Sequence, residues 1–313
     1  MTTVVSPLTH SQRALEHQLD NVSAGSAINW SAYAELAKPR IALMVLISMA
    51  VGYVLASRGS WDLLPLVHAS IGVFLAVVSS SALNQYIERQ TDARMPRTQN
   101  RPLPMQRLTP RGVLLFATGC GLLSFAYLWF AVNPLTAWLG LLSIVLYAGV
   151  YTPMKRWTTF CTAVGAVPGA LPPVLGWTAA GGELSWGAFS LFAILFVWQF
   201  PHFLAIAWMY RDQYDLAGLK MVPGRGRRGV IGSVALAYAL VLIPVSLLPA
   251  QLSLSGEAYS LCAVALGVMY AWSAFRFLQD ESRLRARQLL WASLVYLPSL
   301  LLALMLDHVR LMQ

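Results

Sequence analysis

The sequence predicts an all-α polytopic membrane protein. Of its 313 residues, 57% are hydrophobic and only 11% are charged, and the mean hydropathy is +0.59. Apolar runs of about 20 residues recur along the chain, and this is the length that a helix needs to cross the hydrocarbon core of a bilayer. The net charge of +9 is therefore assigned to the loops between helices, and no nucleic acid is expected as a partner.

About nine transmembrane helices are predicted, as two parallel four-helix repeats plus one extra helix. The predicted spans are about 41–57, 64–90, 112–132, 135–153, 159–180, 186–210, 230–249, 257–277 and 288–306. Span five begins about 118 residues after span one, and span seven follows span three by about the same interval. Parallel helical repeats often place a site between their halves, although regular helix and loop lengths could produce this spacing by coincidence.

The distribution of positive charge predicts the orientation of these helices. Twenty of the 22 lysines and arginines fall on one side of the predicted membrane, and only Arg58 and Arg310 fall on the other. Because lysine and arginine concentrate in cytoplasmic loops, this side and the N-terminus are placed in the cytoplasm. Residues 1–35 are predicted to form a polar, disordered cytoplasmic arm without a signal peptide, and residues 36–310 the intramembrane domain.

The stretch 84–104 holds the most informative polar pattern in the chain. Asn84, Glu88 and Asp92 are spaced four residues apart, which places them on one face of a helix at the end of span two. Amide and carboxylate oxygens suit Mg²⁺, which commonly also takes oxygens from a substrate phosphate. The arginines that follow suit the remaining phosphate oxygens. A charged helix end with a basic loop and no chemistry is the alternative.

A second acidic cluster ends span six. Asp212 and Asp215 lie there, on the same predicted side of the membrane as Glu88 and Asp92. Carboxylates this close to a membrane core cost free energy and usually indicate a functional site. Two such clusters facing one another would hold two or more Mg²⁺ ions against one diphosphate.

Span five is predicted to be distorted. Pro168, Pro172 and Pro173 must distort a helix, and broken helices are tolerated in membranes only against protein or a cavity, so a cavity wall is expected here. Gly165 and Gly169 form a small-xxx-small pair that permits close helix approach.

Four segments resemble the UbiA-type intramembrane prenyltransferase superfamily. They are NQYIERQTDARMPRTQNRPLP, YTPMKRWT, GAVPGALPPVLGW and WQFPHFLAIAWMYRDQYDLAG. The PHF and RDQYDLAG sequences favour the haem-modifying branch over quinone-pathway relatives. The chain departs from the usual motifs at Glu88 and Gln213, where the family often has aspartate. The second departure leaves open which residues complete a second metal site.

The resemblance implies Mg²⁺-dependent transfer of a farnesyl group from farnesyl diphosphate to the 2-vinyl group of haem B, with addition of water, giving haem O. It implies catalytic and metal-binding roles for Asn84, Glu88, Asp92 and Asp212. Fixed positive charge around the diphosphate is implied for Lys38, Arg94, Arg97, Lys155 and Arg211. The implied setting is the lipid bilayer of a bacterial inner membrane, with haem A synthase or terminal oxidase assembly proteins as partners.

His202 and Trp198 are the candidates for the haem acceptor pocket. They lie four residues apart inside the apolar section of span six and therefore share a helix face. His202 could bind haem iron, orient a propionate or act as an acid or base, and a histidine that only bonds a neighbouring helix is the alternative.

Two other functions stay open at this stage. A quinone-pathway aromatic prenyltransferase would share the acidic motifs but act on a small aromatic acid. A transporter would share the parallel repeats, yet it should carry charges deep in several helices, whereas the charges here cluster at one side.

Overall fold

The computed structural model describes residues 29–57, 62–224, 227 and 229–312, and every regular element in these ranges is a helix. Eight helices in them are long and apolar enough to cross a membrane. A ninth span is broken into two shorter helices, so the predicted fold class is confirmed. The spans are Pro39–Ala56, Leu63–Asp92, Pro110–Ala131, Pro134–Met154, Cys161–Ala170 with Pro172–Ala179, Trp186–Met209, Val230–Ser246, Glu257–Gln279 and Arg283–Met312. Short helices also occur at Trp30–Leu36, Arg211–Leu216 and Leu248–Gln251.

The two halves of the chain repeat the same order of neighbours. Span two packs on span three and span three on span four, while span six packs on span seven and span seven on span eight. Span nine packs between spans six and eight and also touches span one. Large apolar side chains such as Phe130 and Leu115 remain exposed on the outside of the bundle, where lipid replaces water as the solvent.

The break in span five lies at Leu171, immediately before Pro172 and Pro173. The prolines lack the N–H groups that would continue the helical hydrogen-bond ladder. The second half of this span lies directly against the backbone of span one. The two backbones are so close that a Cβ at Gly52 would overlap the carbonyl of Pro173. The predicted pair Gly165 and Gly169 instead makes room for side chains of spans four and six.

The predicted N-terminal arm, residues 1–35, lies largely outside the described residues. Its last part is helical rather than disordered: the Asn29 side chain accepts a hydrogen bond from the Ala32 amide and caps the helix Trp30–Leu36. Ala32 and Leu36 are fully buried in a cluster with residues of spans two and three. The structured region therefore begins before residue 36, because this short helix buries an apolar face.

Candidate active site

The end of span two forms the centre of the site. Asn84, Glu88 and Asp92 lie in the last turns of the helix Leu63–Asp92 and are 2%, 7% and 0% exposed. The Asn84 amide donates to Glu88 Oε2 over 3.0 Å, as the four-residue spacing requires. The three polar side chains are thus held inside the protein, and their charges must be balanced there.

Three cations from three different segments surround this group. Lys155, which follows span four, places its Nζ 2.8 Å from Glu88 Oε1. Arg101, in the loop after span two, places a guanidinium nitrogen 2.7 Å from Asp92 Oδ2. Lys38 donates to Asn84 Oδ1 over 3.4 Å and precedes span one in a left-handed backbone conformation, with φ of 47°.

The three cations outnumber the two carboxylates, and the pKa values of the two lysines shift in opposite directions. Burial, reinforced by the charges of Arg101 and Lys155, lowers the pKa of Lys38 from its usual 10.5 to about 7. Burial also opposes the charge of Lys155, yet the Glu88 carboxylate together with Tyr151 and Tyr147 raises the Lys155 pKa above its ordinary value. At neutral pH Lys38 is therefore only partly charged, and an anionic ligand such as a diphosphate would complement the three cations and favour the charged form of Lys38.

The donor set also fits a divalent cation. Asp92 Oδ1 is buried and has no hydrogen-bond partner among the described residues, which is costly for a carboxylate oxygen unless a cation binds there. In the described parts of the chain, no group of three or more His, Cys, Asp and Glu side chains could hold a metal by itself. A site of two carboxylates and one amide, completed by substrate oxygens, is the arrangement that Mg²⁺ commonly uses.

Near its end, span four contains a π-helix, Val145–Tyr151, which was not predicted from the sequence. Such turns are rare and occur frequently at functional sites. After it, Thr152 accepts a hydrogen bond from the Asn84 amide over 3.1 Å, and the Lys155 ammonium lies 4.4 Å from the centre of the Tyr151 ring. Helical periodicity carries no signal for a π-turn, so only the polar residues that follow it could be found from the sequence.

Asp212, from the second acidic cluster, lies in the short helix Arg211–Leu216 that follows span six. Asp212 is 80% exposed and lies 3.7 Å from the side chain of its neighbour Arg211, which itself covers the Trp208 ring. Arg94 is also exposed, in the loop after span two. The arrangement of two carboxylate clusters facing one another across a diphosphate therefore stays a prediction.

Arg97 connects the segments that follow spans two and six. Its guanidinium donates to the Tyr214 hydroxyl over 3.2 Å and lies 4.7 Å from the centre of the Tyr210 ring. Its backbone N–H donates to Gln213 Oε1 over 3.3 Å. Arg97 thus contacts the helix after span six rather than the carboxylates of span two.

The predicted acceptor-pocket residues contact span nine. His202 Nδ1 lies 2.7 Å from Ser293 Oγ, and the Trp198 indole donates to the Ser293 carbonyl over 3.0 Å. The two rings stack with centroids 5.1 Å apart. The Ser293 hydroxyl donates its hydrogen to the Leu290 carbonyl, so toward His202 it can only accept. His202 therefore carries its proton on Nδ1, and the free lone pair of the imidazole is on Nε2.

Comparison with known proteins agrees with this architecture. The profile of the UbiA prenyltransferase family matches residues 45–297. The protoheme IX farnesyltransferase of Solibacter usitatus is 42% identical over 287 residues, covering 88% of this chain and 98% of that protein. The protein of the same name from Myxococcus xanthus is 43% identical over 281 residues, covering 88% of this chain and 93% of that protein.

Solved structures share the fold at low sequence identity. A digeranylgeranylglyceryl phosphate synthase structure matches with a TM-score of 0.77 at 14% identity, covering 90% of this chain and 99% of that one. A UbiA homolog from Archaeoglobus fulgidus, bound to GPP and Mg²⁺, matches with a TM-score of 0.65 at 17% identity, covering 87% and 99%. The chain belongs to the UbiA prenyltransferase family, on its protohaem IX farnesyltransferase branch.

Proposed function

We propose that this protein transfers a farnesyl group from farnesyl diphosphate to the 2-vinyl group of haem B, with addition of water, to make haem O for terminal oxidase assembly. The names of relatives that are about 40% identical over most of the chain support the substrates. The observation that carries the chemistry is the buried group of Asn84, Glu88 and Asp92 with its three cations.

In this proposal Asn84, Glu88 and Asp92 hold Mg²⁺, which supplies neutralising charge to the leaving diphosphate. Lys38, Lys155 and Arg101 add fixed positive charge around the same group and need no reorganisation when it leaves. The bond between farnesyl C1 and oxygen breaks, and diphosphate takes the electron pair. The terminal vinyl carbon of haem B then attacks C1 of the allylic cation.

Water captures the cation left beside the porphyrin ring and loses a proton, which gives the hydroxyethylfarnesyl group. The farnesyl cation must survive until the vinyl group reaches it, so water has to be excluded early. The carboxylate group is less than a tenth exposed before any substrate binds, which suits this requirement.

The segments that follow spans two and six act farther from the buried carboxylates in this proposal. Asp212, Arg94, Arg97 and Arg211 complete the diphosphate site in this proposal when the loops after spans two and six draw together over the substrate. The existing contact of Arg97 with Tyr214 and Gln213 supports such coupling. We also propose the bacterial inner membrane as the location, with a cytoplasmic N-terminus and active site, and haem A synthase or oxidase assembly proteins as partners.

A product assay with membrane vesicles tests both the reaction and the orientation. Inverted vesicles supplied with haem B, Mg²⁺ and farnesyl diphosphate should form a haem carrying one farnesyl group and one added water, identified by mass spectrometry. Right-side-out vesicles should form none from external farnesyl diphosphate, because a diphosphate does not cross the bilayer.

Prenylation of 4-hydroxybenzoate instead of haem would support the quinone-pathway alternative. Equal activity in both vesicle orientations with intact membranes would contradict the cytoplasmic placement of the site.

His202 and Trp198 belong to the haem pocket in this proposal. We expect His202→Ala to weaken haem binding at least tenfold while farnesyl diphosphate binding survives, because only the haem site loses its imidazole lone pair. Haem titration by absorbance and farnesyl diphosphate calorimetry on the same purified variant measure the two effects.

Ser293→Ala is the matched control, since it removes the hydrogen bond to His202 but keeps the imidazole. It should weaken haem binding less than His202→Ala does. Unchanged haem affinity in both variants, with similar losses of melting temperature, would show that His202 only packs spans six and nine together.

A further inference from the structure

The amide of Asn84 is surrounded by groups of opposite hydrogen-bonding type. Its NH₂ group donates to Glu88 Oε2 over 3.0 Å and to Thr152 Oγ1 over 3.1 Å. Its carbonyl oxygen accepts from the Lys38 ammonium over 3.4 Å. Acceptors lie on one side and a cation on the other, so one of the two amide orientations is strongly favoured.

Thr152 can act only as an acceptor toward Asn84. Its hydroxyl donates to the Tyr147 carbonyl over 2.8 Å, and its backbone N–H is bonded to the same carbonyl through the π-helix. The hydroxyl hydrogen is therefore committed, and the oxygen offers a lone pair to the amide. The π-turn positions this oxygen, because it ends at Tyr151 and sets the orientation of Thr152, the next residue.

Thr152 differs from the other two neighbours of Asn84 in one respect. Glu88 and Lys38 carry charges that the proposed function directs to the metal and to the diphosphate. The contact with Thr152, which is 2% exposed, does not compete with either ligand.

We propose that Thr152 is a positioning residue that holds the NH₂ group of Asn84 away from the metal, so that Asn84 Oδ1 faces it. This inference rests on the proposed function, because it assumes that Asn84 contributes an oxygen to the metal. Without the hydroxyl, one buried N–H of Asn84 loses its partner, and the amide can rotate to present a donor to the cation.

The test compares Thr152→Val, which keeps the shape of the side chain, with Thr152→Ser, which keeps the hydroxyl. Binding of Mn²⁺ to purified protein in detergent, with inorganic diphosphate present, is measured by electron paramagnetic resonance. The valine variant should bind Mn²⁺ about tenfold more weakly, the size of effect typical when a residue that orients a metal ligand is lost. The serine variant should stay within about twofold of the unmodified protein. Thr152→Ala provides a second variant without the hydroxyl and should match valine.

The same changes in an Asn84→Asp background separate orientation from general damage. Aspartate presents oxygens in both orientations, so Thr152→Val should then weaken Mn²⁺ binding no further, and the two changes should be non-additive. Equal Mn²⁺ affinity in the valine and unmodified proteins, equal weakening by serine and valine, or additive effects in the Asn84→Asp background would each overturn the positioning role alone. A lack of Mn²⁺ binding by the unmodified protein would overturn the proposed metal site together with this inference.

Discussion

Asp92→Asn is expected to lower turnover by about a thousandfold while the protein still folds and inserts. Asparagine has the size of aspartate and can still accept from Arg101, but it loses the charge of a fully buried carboxylate whose Oδ1 has no partner among the described residues. A thousandfold loss corresponds to about 4 kcal/mol of transition-state stabilisation, and a bound metal supplies several kcal/mol of such stabilisation. The measurement is the initial rate of farnesylated haem formation over a range of Mg²⁺ concentrations.

Asp62→Asn is the matched control for this prediction. Asp62 caps the opposite end of the same helix by accepting from the Leu64 amide, a role that asparagine also fills, so its activity should remain normal. Chelation of divalent ions should stop the unmodified enzyme, and added Mg²⁺ should restore it. Normal turnover of Asp92→Asn at saturating Mg²⁺ would rule out the proposed role of Asp92.

Most of the fold follows from the sequence because a bilayer demands uninterrupted apolar runs of a fixed length. The ends of Pro39–Ala56 and Glu257–Gln279 lie within a few residues of the predicted ones. The break in span five was predicted as well, since Pro172 and Pro173 cannot donate hydrogen bonds. The short helix Trp30–Leu36 was missed because its apolar face appears only when spans two and three are present to cover it.

Only those parts of the candidate site whose residues lie close together in the sequence could be predicted. Asn84, Glu88 and Asp92 share a face by spacing alone, and Lys155 was found as a cation at a helix end. Span helices that are apolar on nearly every side do not indicate which face meets which neighbour. The pairing of Arg101 with Asp92 therefore could not be assigned from the sequence.

The same limit applies to the second acidic cluster. The topology placed Asp212 on the side of the membrane that holds Asp92, but topology gives no lateral distance or rotation. Arg97 contacts Tyr210 and Tyr214 near the end of span six, and the Asp212 side chain is exposed. Contacts of this kind between segments far apart in the sequence cannot be assigned from helical periodicity.

Lys155→Met is expected to reduce both stability and activity. Its ammonium lies 2.8 Å from Glu88 Oε1, and the two side chains are only 11% and 9% exposed. Removing one partner of a buried ion pair leaves an uncompensated charge, which costs about 3–5 kcal/mol. The melting temperature in detergent should therefore fall, and turnover should fall about a hundredfold or more, because the diphosphate also loses a fixed positive charge.

Arg156→Met is the control for Lys155→Met, since Arg156 is the adjacent cation but is exposed, and its guanidinium donates to the Ile87 carbonyl. It should leave the melting temperature unchanged and turnover within about threefold, because exposed charges contribute little.

The double variant Lys155→Met with Glu88→Gln then separates the two roles of Lys155. It removes both buried charges, so it should recover most of the lost stability. It should remain inactive, because neither the metal ligand nor the diphosphate cation is restored. An unchanged melting temperature in Lys155→Met would show that the ion pair gives no net stability, and near-normal turnover would rule out a contact between Lys155 and the diphosphate.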